Sequence, residues 1–386
     1  MAVLAYANAI GNGFVLDDIP IILRNPFVHQ LRALWRAFAT PYWPASSGTG
    51  QYRPLAIASY ALDWWVSGGS AHWMHAVNVL WHAAASMVVL SFASQLVRAR
   101  GALIAALLFA LHPVHVEAVA NIVGRAECMA AVFVLMALLA HRRQSWAAVP
   151  LFALALASKE NSVVFVGLAL ASDVLFADVR VRDLMRENRA RYAAYAGVLA
   201  GYAAVLVAVF SRVSLRAPAA MLAGAGVVTR TMTELTVVPQ YLRLLVAPLE
   251  LSSNYDWDVI QRQAGPSVLG ALGAAIIAVT AVTIWQRCRT DRVVAFALVW
   301  IPIAIAPVSN IAFASGIVLA ERTLYLPSVG VVLLAGVLAD RLWERHSRLV
   351  PLSALAFGAF FAVRTWTRTP VWHDTASYLH VLVADR

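Results

Sequence analysis

Long apolar runs broken by short polar stretches fill most of this 386-residue chain. Windows of high apolarity bounded by charges, proline or glycine predict membrane-spanning helices at 75–97, 101–119, 126–141, 145–157, 162–177, 192–210, 266–286, 293–312, 327–342 and 349–364. Many of these approach the ~20 residues that cross a bilayer as a helix. Two segments break the pattern. The stretch 227–247 is long enough to cross but carries Arg230, Glu234, Pro239, Gln240 and Arg243. A crossing there would put the later arginine clusters on the wrong side, so a re-entrant or partly buried helix that does not traverse is expected. At the start, "MAVLAYANAIG" covers about half of a ~30 Å hydrocarbon core at ~1.5 Å per residue. It reads as the tail of a truncated first span, without the basic region or cleavage site of a signal peptide. With it, eleven crossings are predicted. The first loop, 13–74, and the C-terminal segment, 365–386, then lie on the outer side of one transmembrane domain, 1–386. The expected fold class is an all-α polytopic membrane protein.

Composition agrees and removes alternatives. The chain is 61% hydrophobic and 13% charged, with a mean hydropathy of +0.72, which no soluble domain of this length needs. Cys128 and Cys288 lie beside or within predicted spans, so no disulfide framework is implied. The net charge of +10 raises nucleic acid as a partner, but the basic residues sit in short runs between apolar segments, and nucleic-acid binding is not expected. Those runs are Arg98 and Arg100; Arg142 and Arg143; Arg180, Arg182, Arg186, Arg189 and Arg191; Arg287, Arg289 and Arg292; and Arg341, Arg345 and Arg348. They hold half of the 30 basic residues in short loops, and by the positive-inside rule they mark the cytoplasmic face. Lys159 is the one lysine, and this arginine bias with abundant alanine points to a GC-rich bacterial gene.

Threaded this way, the unusual polar stretches fall on the opposite, outer face: "DD" at 17–18, "QYRPL" at 51–55, "HPVHVEAVANIVGRAE" at 112–127, "SKEN" at 158–161, "SNYDWD" at 253–258, "PVSN…AERTLYLPS" at 307–328 and "RTPVWHD" at 368–374. Several lie at span ends, where an ionisable group is costly, and one shared outer site is the economical reading. Each piece also has a plain reading. Asp17 and Asp18 could cap a helix or sit solvated in a loop. His112, His115 and Glu117 raise a metal site, but Pro113 interrupts their register and no second ligand cluster follows, so a divalent metal is not favoured. Histidines that hydrogen-bond a phosphate or sugar hydroxyl are preferred. Arg125 with Glu127, and Lys159 with Glu160, could be local salt bridges, or with Arg322 they could form a cationic clamp for a phosphate that gains charge as a bond breaks. In the first loop Leu31, Leu34, Trp35 and Phe38 can share one helix face, with Arg32 and Arg36 on another, as in a helix lying in the membrane interface.

The strings "NGFVLDDIPIILRNP", "YRPL", "HPVHVEAVANIVGRAE", "SKEN" and "AERTLYLPS", in this order, resemble the membrane domain of the transmembrane and tetratricopeptide-repeat (TMTC) proteins across almost the whole chain. That family is assigned to the GT-C glycosyltransferases, and its animal members transfer mannose from dolichyl phosphate to Ser or Thr hydroxyls of proteins. The resemblance therefore implies a GT-C fold, a polyprenyl-phosphate sugar donor, a protein or glycan acceptor and membrane lipid as partners. It also implies a base in the acidic pair: Asp17 or Asp18, with Asp17 preferred and Asp18 structural, since successive side chains point in different directions. A carboxylate that takes the acceptor proton and fixed positive charge for the departing phosphate fit this chemistry. Arg125, Lys159 and Arg322 are the expected phosphate ligands, with Arg53, His112, His115, Glu127, Glu160, Glu321 and Tyr325 in support. The family's helical repeats cannot fit after "RTPVWHD" in this sequence. The rival readings are a lipid-linked glycan ligase or polymerase, and a transporter or flippase for a polyprenyl-linked sugar. The expected location is a bacterial inner membrane, with the site facing the periplasm or exterior.

Overall fold

The computed structural model of the chain describes residues 1–44, 51–177, 183, 186–211, 222, 224–252, 254–255, 260–312 and 317–384. Among the described residues the fold is helical and contains no strand. The helices are α1 (Ala2–Ala5), α2 (Pro54–Ser67), α3 (Ala71–Ala93), α4 (Ala99–Leu111), α5 (Val116–Ala120), α6 (Arg125–Arg142), α7 (Ala148–Ser158) and α8 (Val164–Phe176). They continue with α9 (Arg189–Phe210), α10 (Val227–Val246), α11 (Val268–Thr290), α12 (Arg292–Ile305), α13 (Ser328–Trp343), α14 (Leu349–Arg368) and α15 (Thr375–Ala384).

Each of the ten full-length segments read from hydropathy contains a helix. Among the described residues, five helices are long and apolar enough to cross a bilayer: α3, the one ending in Arg142, α9, α11, and α14 with its short extension. The α4–α5 pair, bent by 47°, makes a sixth candidate. Helices α7 and α8, at about 16 and 20 Å, are shorter than a bilayer core. The expected 101–119 span is broken because Pro113 biases His112 away from helical geometry, to ψ 122°, and supplies no amide for the next turn.

Burial ranks the helices. Across Ile122–Arg142 83% of the span window is buried, against 11% for α9 and for α11, so α6 is the hub and those two are peripheral. Cys128, Ala131, Val134, Leu135 and Leu138 of α6 pack into the main core with Phe92, Phe109, Phe152, Phe165 and Trp300. Helices α4 and α13 touch backbone to backbone, since a Cβ on Gly101 would come within 2.5 Å of the Gly336 carbonyl oxygen and one on Gly336 within 2.7 Å of that of Gly101. Small residues permit this approach where no hydrophobic force drives helices together in lipid.

The arginine-marked loops do meet at one end of the bundle. Arg98 pairs with Glu344, Arg100 with Asp340 at 3.3 Å and Arg341 with Asp291, while Arg142 donates to Ser172 Oγ at 2.8 Å. Arg180 and Arg182 lie outside the described residues. Helix α6 runs about 27 Å from Arg125 and Glu127 to Arg142, so the polar stretches at its start are at the opposite end. Helix α10 is continuous through Pro239, and its middle and C-terminal end meet elements at that opposite end: Glu234 accepts from Asn310 Nδ2 at 2.8 Å, and the Leu245 carbonyl bonds His112 Nε2 at 3.1 Å. It is one continuous, partly buried helix and not a re-entrant turn.

The first eleven residues form α1 and then a 3₁₀ turn, Ala7–Gly11, with Tyr6 and Ala9 buried. The interfacial helix expected near 31–38 is a 3₁₀ helix, Leu31–Phe38, that buries Ala33 and Ala37 and exposes Leu31, Trp35 and Phe38. Helices α2 and α15 were not anticipated. For α2, Pro54 at the first turn and Gly68 as left-handed cap, at φ +66°, were legible helix signals inside an aromatic-rich loop.

Candidate active site

The two acids of "LDD" are held in a strained turn. Leu16 has φ +41°, a conformation rare outside glycine, and its amide donates to Thr375 Oγ1 at 3.3 Å. Asp18 explains how the turn persists. Its Oδ2 accepts from the Val15 amide and its Oδ1 from the Val123 amide, both at 2.9 Å, and the side chain is buried. The Gly13 amide donates to the His373 carbonyl at 2.8 Å, so the C-terminal segment also braces this loop. Asp17, half-buried, accepts no hydrogen bond among the described residues, and its charged neighbours are Arg322, Glu117 and Arg53. Burial raises the Asp17 pKa, with Glu117 adding to the rise and Arg322 and Arg53 opposing it. Burial pushes Asp18 up to about 7 against its two amide bonds.

Three cation–carboxylate pairs from distant parts of the chain meet near this turn, and members of two of them, Arg322, Glu117 and Arg53, act on Asp17 itself. Arg53, at the start of α2, forks onto Glu160 with Nη2 at 2.6 Å and Nε at 2.9 Å, and its guanidinium lies 4.9 Å from the Tyr42 ring. Lys159, just after α7, pairs with Glu127 of α6. Arg322, in the 3₁₀ turn Glu321–Leu324, donates Nη1 to Glu117 Oε1 at 2.6 Å and its amide to Glu117 Oε2 at 2.9 Å. Arg53 and Lys159 feel each other's charge as well as Arg322's, so the pairs form one cluster. Burial raises and the Arg53 and Lys159 charges lower the Glu160 carboxyl, the net being a fall to about 2. Burial lowers the Lys159 ammonium, which Glu127 partly offsets. Of the three cations Arg322 is the most open, at 22% side-chain exposure against 11% for Arg53 and 6% for Lys159.

The local pairs suggested by "GRAE" and "SKEN" are therefore replaced by crossed ones, and Arg125 is not among the cluster's cations. Its guanidinium is fully buried: Nε donates to Asn78 Oδ1 at 2.6 Å, Nη2 to the Met74 carbonyl at 2.9 Å, and Nη1 to Ser59 Oγ at 3.3 Å, while Asp63 pairs with it at 2.5 Å. Asn78 in turn donates to the carbonyls of Asn121 and Ile122, so Arg125 supports the segment whose next amide, Val123, holds Asp18. Gly124 completes that support, since a Cβ there would lie 2.4 Å from the Ala118 carbonyl oxygen.

Four other expected site residues lie beside the cluster or beneath it. His112 bonds the Leu245 carbonyl and the Val114 amide, and His115 bonds Ser328 Oγ at 2.9 Å, both buried. Tyr325 is in the core, its hydroxyl 2.7 Å from His82 Nδ1. Glu321 accepts from the Ser252 amide and the Tyr255 hydroxyl, each at 2.8 Å, and burial pushes it up to about 8. Ser253 and residues 256–258 of "SNYDWD" lie outside the described residues. Among the described residues no group of three or more His, Cys, Asp and Glu side chains is arranged to hold a metal ion.

A protein O-mannosyl-transferase of Caenorhabditis elegans is 28% identical over 98% of this chain and 55% of its own length. Human protein O-mannosyl-transferase TMTC3 is 28% identical over 85% of this chain and 40% of its own length. This chain is a homologue of the TMTC protein O-mannosyl-transferases. It spans about half the length of the curated relatives it matches. Identity rises to 39% with TMTC1 of Mus musculus, over 36% of this chain. Among solved structures, ArnT from Cupriavidus metallidurans, bound to undecaprenyl phosphate, overlaps 96% of this chain and 68% of its own at 16% identity and a TM-score of 0.43. No protein-family model matches the chain.

Two members of the cluster escaped the sequence reading. Glu117 was weighed there only as a metal ligand, although its place in "HPVHVE" with the other polar span ends was a usable signal. Tyr378 of α15 feels the charges of Glu117, Arg322 and Asp17, and nothing in the sequence ties it to residues 56 to 361 positions away.

Proposed function

We infer that the chain is a membrane glycosyltransferase that moves a hexose, mannose by its homology, from a polyprenyl-phosphate donor to an acceptor hydroxyl, a protein Ser or Thr. The observation that carries this reading is the Asp17 carboxylate, with no hydrogen-bond partner among the described residues, beside Arg322 in a cluster of three cation–carboxylate pairs. A raised pKa and no hydrogen-bond donor suit a carboxylate that must take a proton. In a single displacement the acceptor oxygen bonds the anomeric carbon and its proton passes to Asp17. The anomeric C–O bond to phosphate breaks with its electron pair left on the departing polyprenyl phosphate, and the anomeric centre inverts. Arg322 meets that phosphate first, with Lys159 and Arg53 behind it. The polar cluster sits at the end of the bundle opposite the arginine-marked loops, which fits a site facing the outer side of a bacterial inner membrane, within one catalytic unit spanning 1–386.

The test is to reconstitute the chain with radiolabelled polyprenyl-phosphate mannose or glucose and follow transfer to peptides, glycans and lipids. Transfer of mannose to Ser or Thr, lost in Asp17→Asn, is expected. Transfer to glycan alone would make the protein a glycan ligase, and movement of intact donor across the bilayer without transfer would make it a flippase.

A further inference from the structure

Arg322 stands between two carboxylates and is committed to one of them. Glu117 takes both its amide, at 2.9 Å, and its Nη1, at 2.6 Å, so the backbone and the guanidinium are fixed by the same side chain. Glu117 itself sits on α5, the short helix set off by the Pro113 bend, and its carboxylate is 10% exposed. Asp17 and Glu127 also act on Arg322, and Asp17 forms no such contact with it among the described residues.

We propose that Glu117 is a positioning residue that holds Arg322 off Asp17, keeping the base free while leaving the rest of the guanidinium open to the donor phosphate. This rests on Asp17 being the base. Without an acid at 117, Asp17 and Glu127 are the carboxylates left acting on Arg322, and a guanidinium no longer held by Glu117 would favour the ionised form of Asp17 and weaken it as a base. The groups that face Asp17 are Arg322 and, on α5, Glu117; Arg53 at the start of α2; Asp18 in its own turn; Tyr42 from the first loop; and Tyr378 on α15. Of these, Arg322 and Arg53 favour the ionised carboxylate, while Glu117 opposes it. Replacing Glu117 by glutamine removes the opposition and frees Arg322, and both changes act in the same direction on Asp17.

The consequences have a signature that ordinary damage lacks. In Glu117→Gln the donor KM falls, about threefold, because the cation that meets the phosphate is less neutralised. The kcat also falls, about threefold, because a base weakened by about one pH unit accepts a proton less readily. A distorted site would raise KM.

The experiment uses the full chain in lipid nanodiscs. Infrared titration follows the Asp17 carboxyl, identified by its absence in Asp17→Asn, and initial rates are measured with polyprenyl-phosphate mannose. The Asp17 midpoint is expected to drop by about one pH unit in Glu117→Gln. Glu117→Asp, which keeps the charge but is one methylene short of bridging both donors, should fall between it and the wild type, and carries the test where Glu117→Gln does not fold. An unchanged or higher midpoint in these variants, or a raised donor KM, overturns the proposal. A wild type that turns over no donor would sink the transferase reading, while the infrared midpoints would still decide what Glu117 does to Asp17.

Discussion

The carboxylate of Asp18 accepts a hydrogen bond from the Val123 amide, 2.9 Å away and 105 positions along the chain. That contact, with the one to Val15, separates the fates of two adjacent acids: Asp18 ties the loop to the segment before α6, and Asp17 is left without a donor.

Asp17→Asn should therefore abolish sugar transfer with little change in thermal unfolding, because no hydrogen bond is lost. Asp18→Asn should do the reverse in order of effect. An amide can accept from one of the two amides but presents N–H to the other, at a cost of about 1–3 kcal/mol, and the melting temperature in detergent should fall before activity is considered. Equal losses of stability in the two variants would refute the division of labour.

Lys159 is buried against Glu127, not against its chain neighbour Glu160. Removing either partner alone strands a buried charge, at about 3–5 kcal/mol, so Lys159→Met and Glu127→Gln should each destabilise strongly and the double variant should recover part of the loss. A double-mutant cycle by chemical denaturation should give strong coupling for Lys159 with Glu127 and weaker coupling for Lys159 with Glu160. The opposite ranking would restore the local pairing.

Arg125 should behave as a structural residue. Arg125→Lys keeps the charge but cannot reach Asn78, Met74, Ser59 and Asp63 together, so the melting temperature should fall while the donor KM of the folded protein stays within about twofold. A large rise in donor KM without loss of stability would return Arg125 to the phosphate site.

Glu321 provides a pH test. Burial raises its pKa to about 8 in the folded chain, above the ~4.3 of an unfolded glutamic acid. The folded state thus holds the proton more tightly, and the stability this contributes is full below about pH 4 and lost as pH rises towards 8. Glu321→Gln keeps an acceptor for the Ser252 amide and the Tyr255 hydroxyl and does not ionise. Relative to wild type it should be more stable at pH 9 than at pH 5, read by thermal unfolding. A difference that does not vary with pH would contradict the raised pKa.

The helical segments and the gathering of the arginine-marked loops at one end were legible, because each follows from what a bilayer permits along a single stretch of chain. So was the gathering of Asp17, Asp18, Lys159, Arg322 and Arg53 at the opposite end. The partners were not. "GRAE" and "SKEN" place a cation beside an acid in sequence, yet neighbouring side chains diverge. It is the packing of the end of α7 against the start of α6 that brings Lys159 to Glu127, 32 positions away. Arg125 was misjudged for the same reason, since its ring of acceptors comes from α2 and α3.

By itself the sequence determined an all-α chain built for lipid, with arginine-rich loops at one end and its other polar stretches at the opposite end, since apolar run length and charge placement act locally. Which of two neighbouring carboxylates is left free, and which acid each cation holds, was decided by tertiary structure. Contacts of 2.6–2.9 Å across more than a hundred residues depend on how helix ends meet, and no local pattern encodes that.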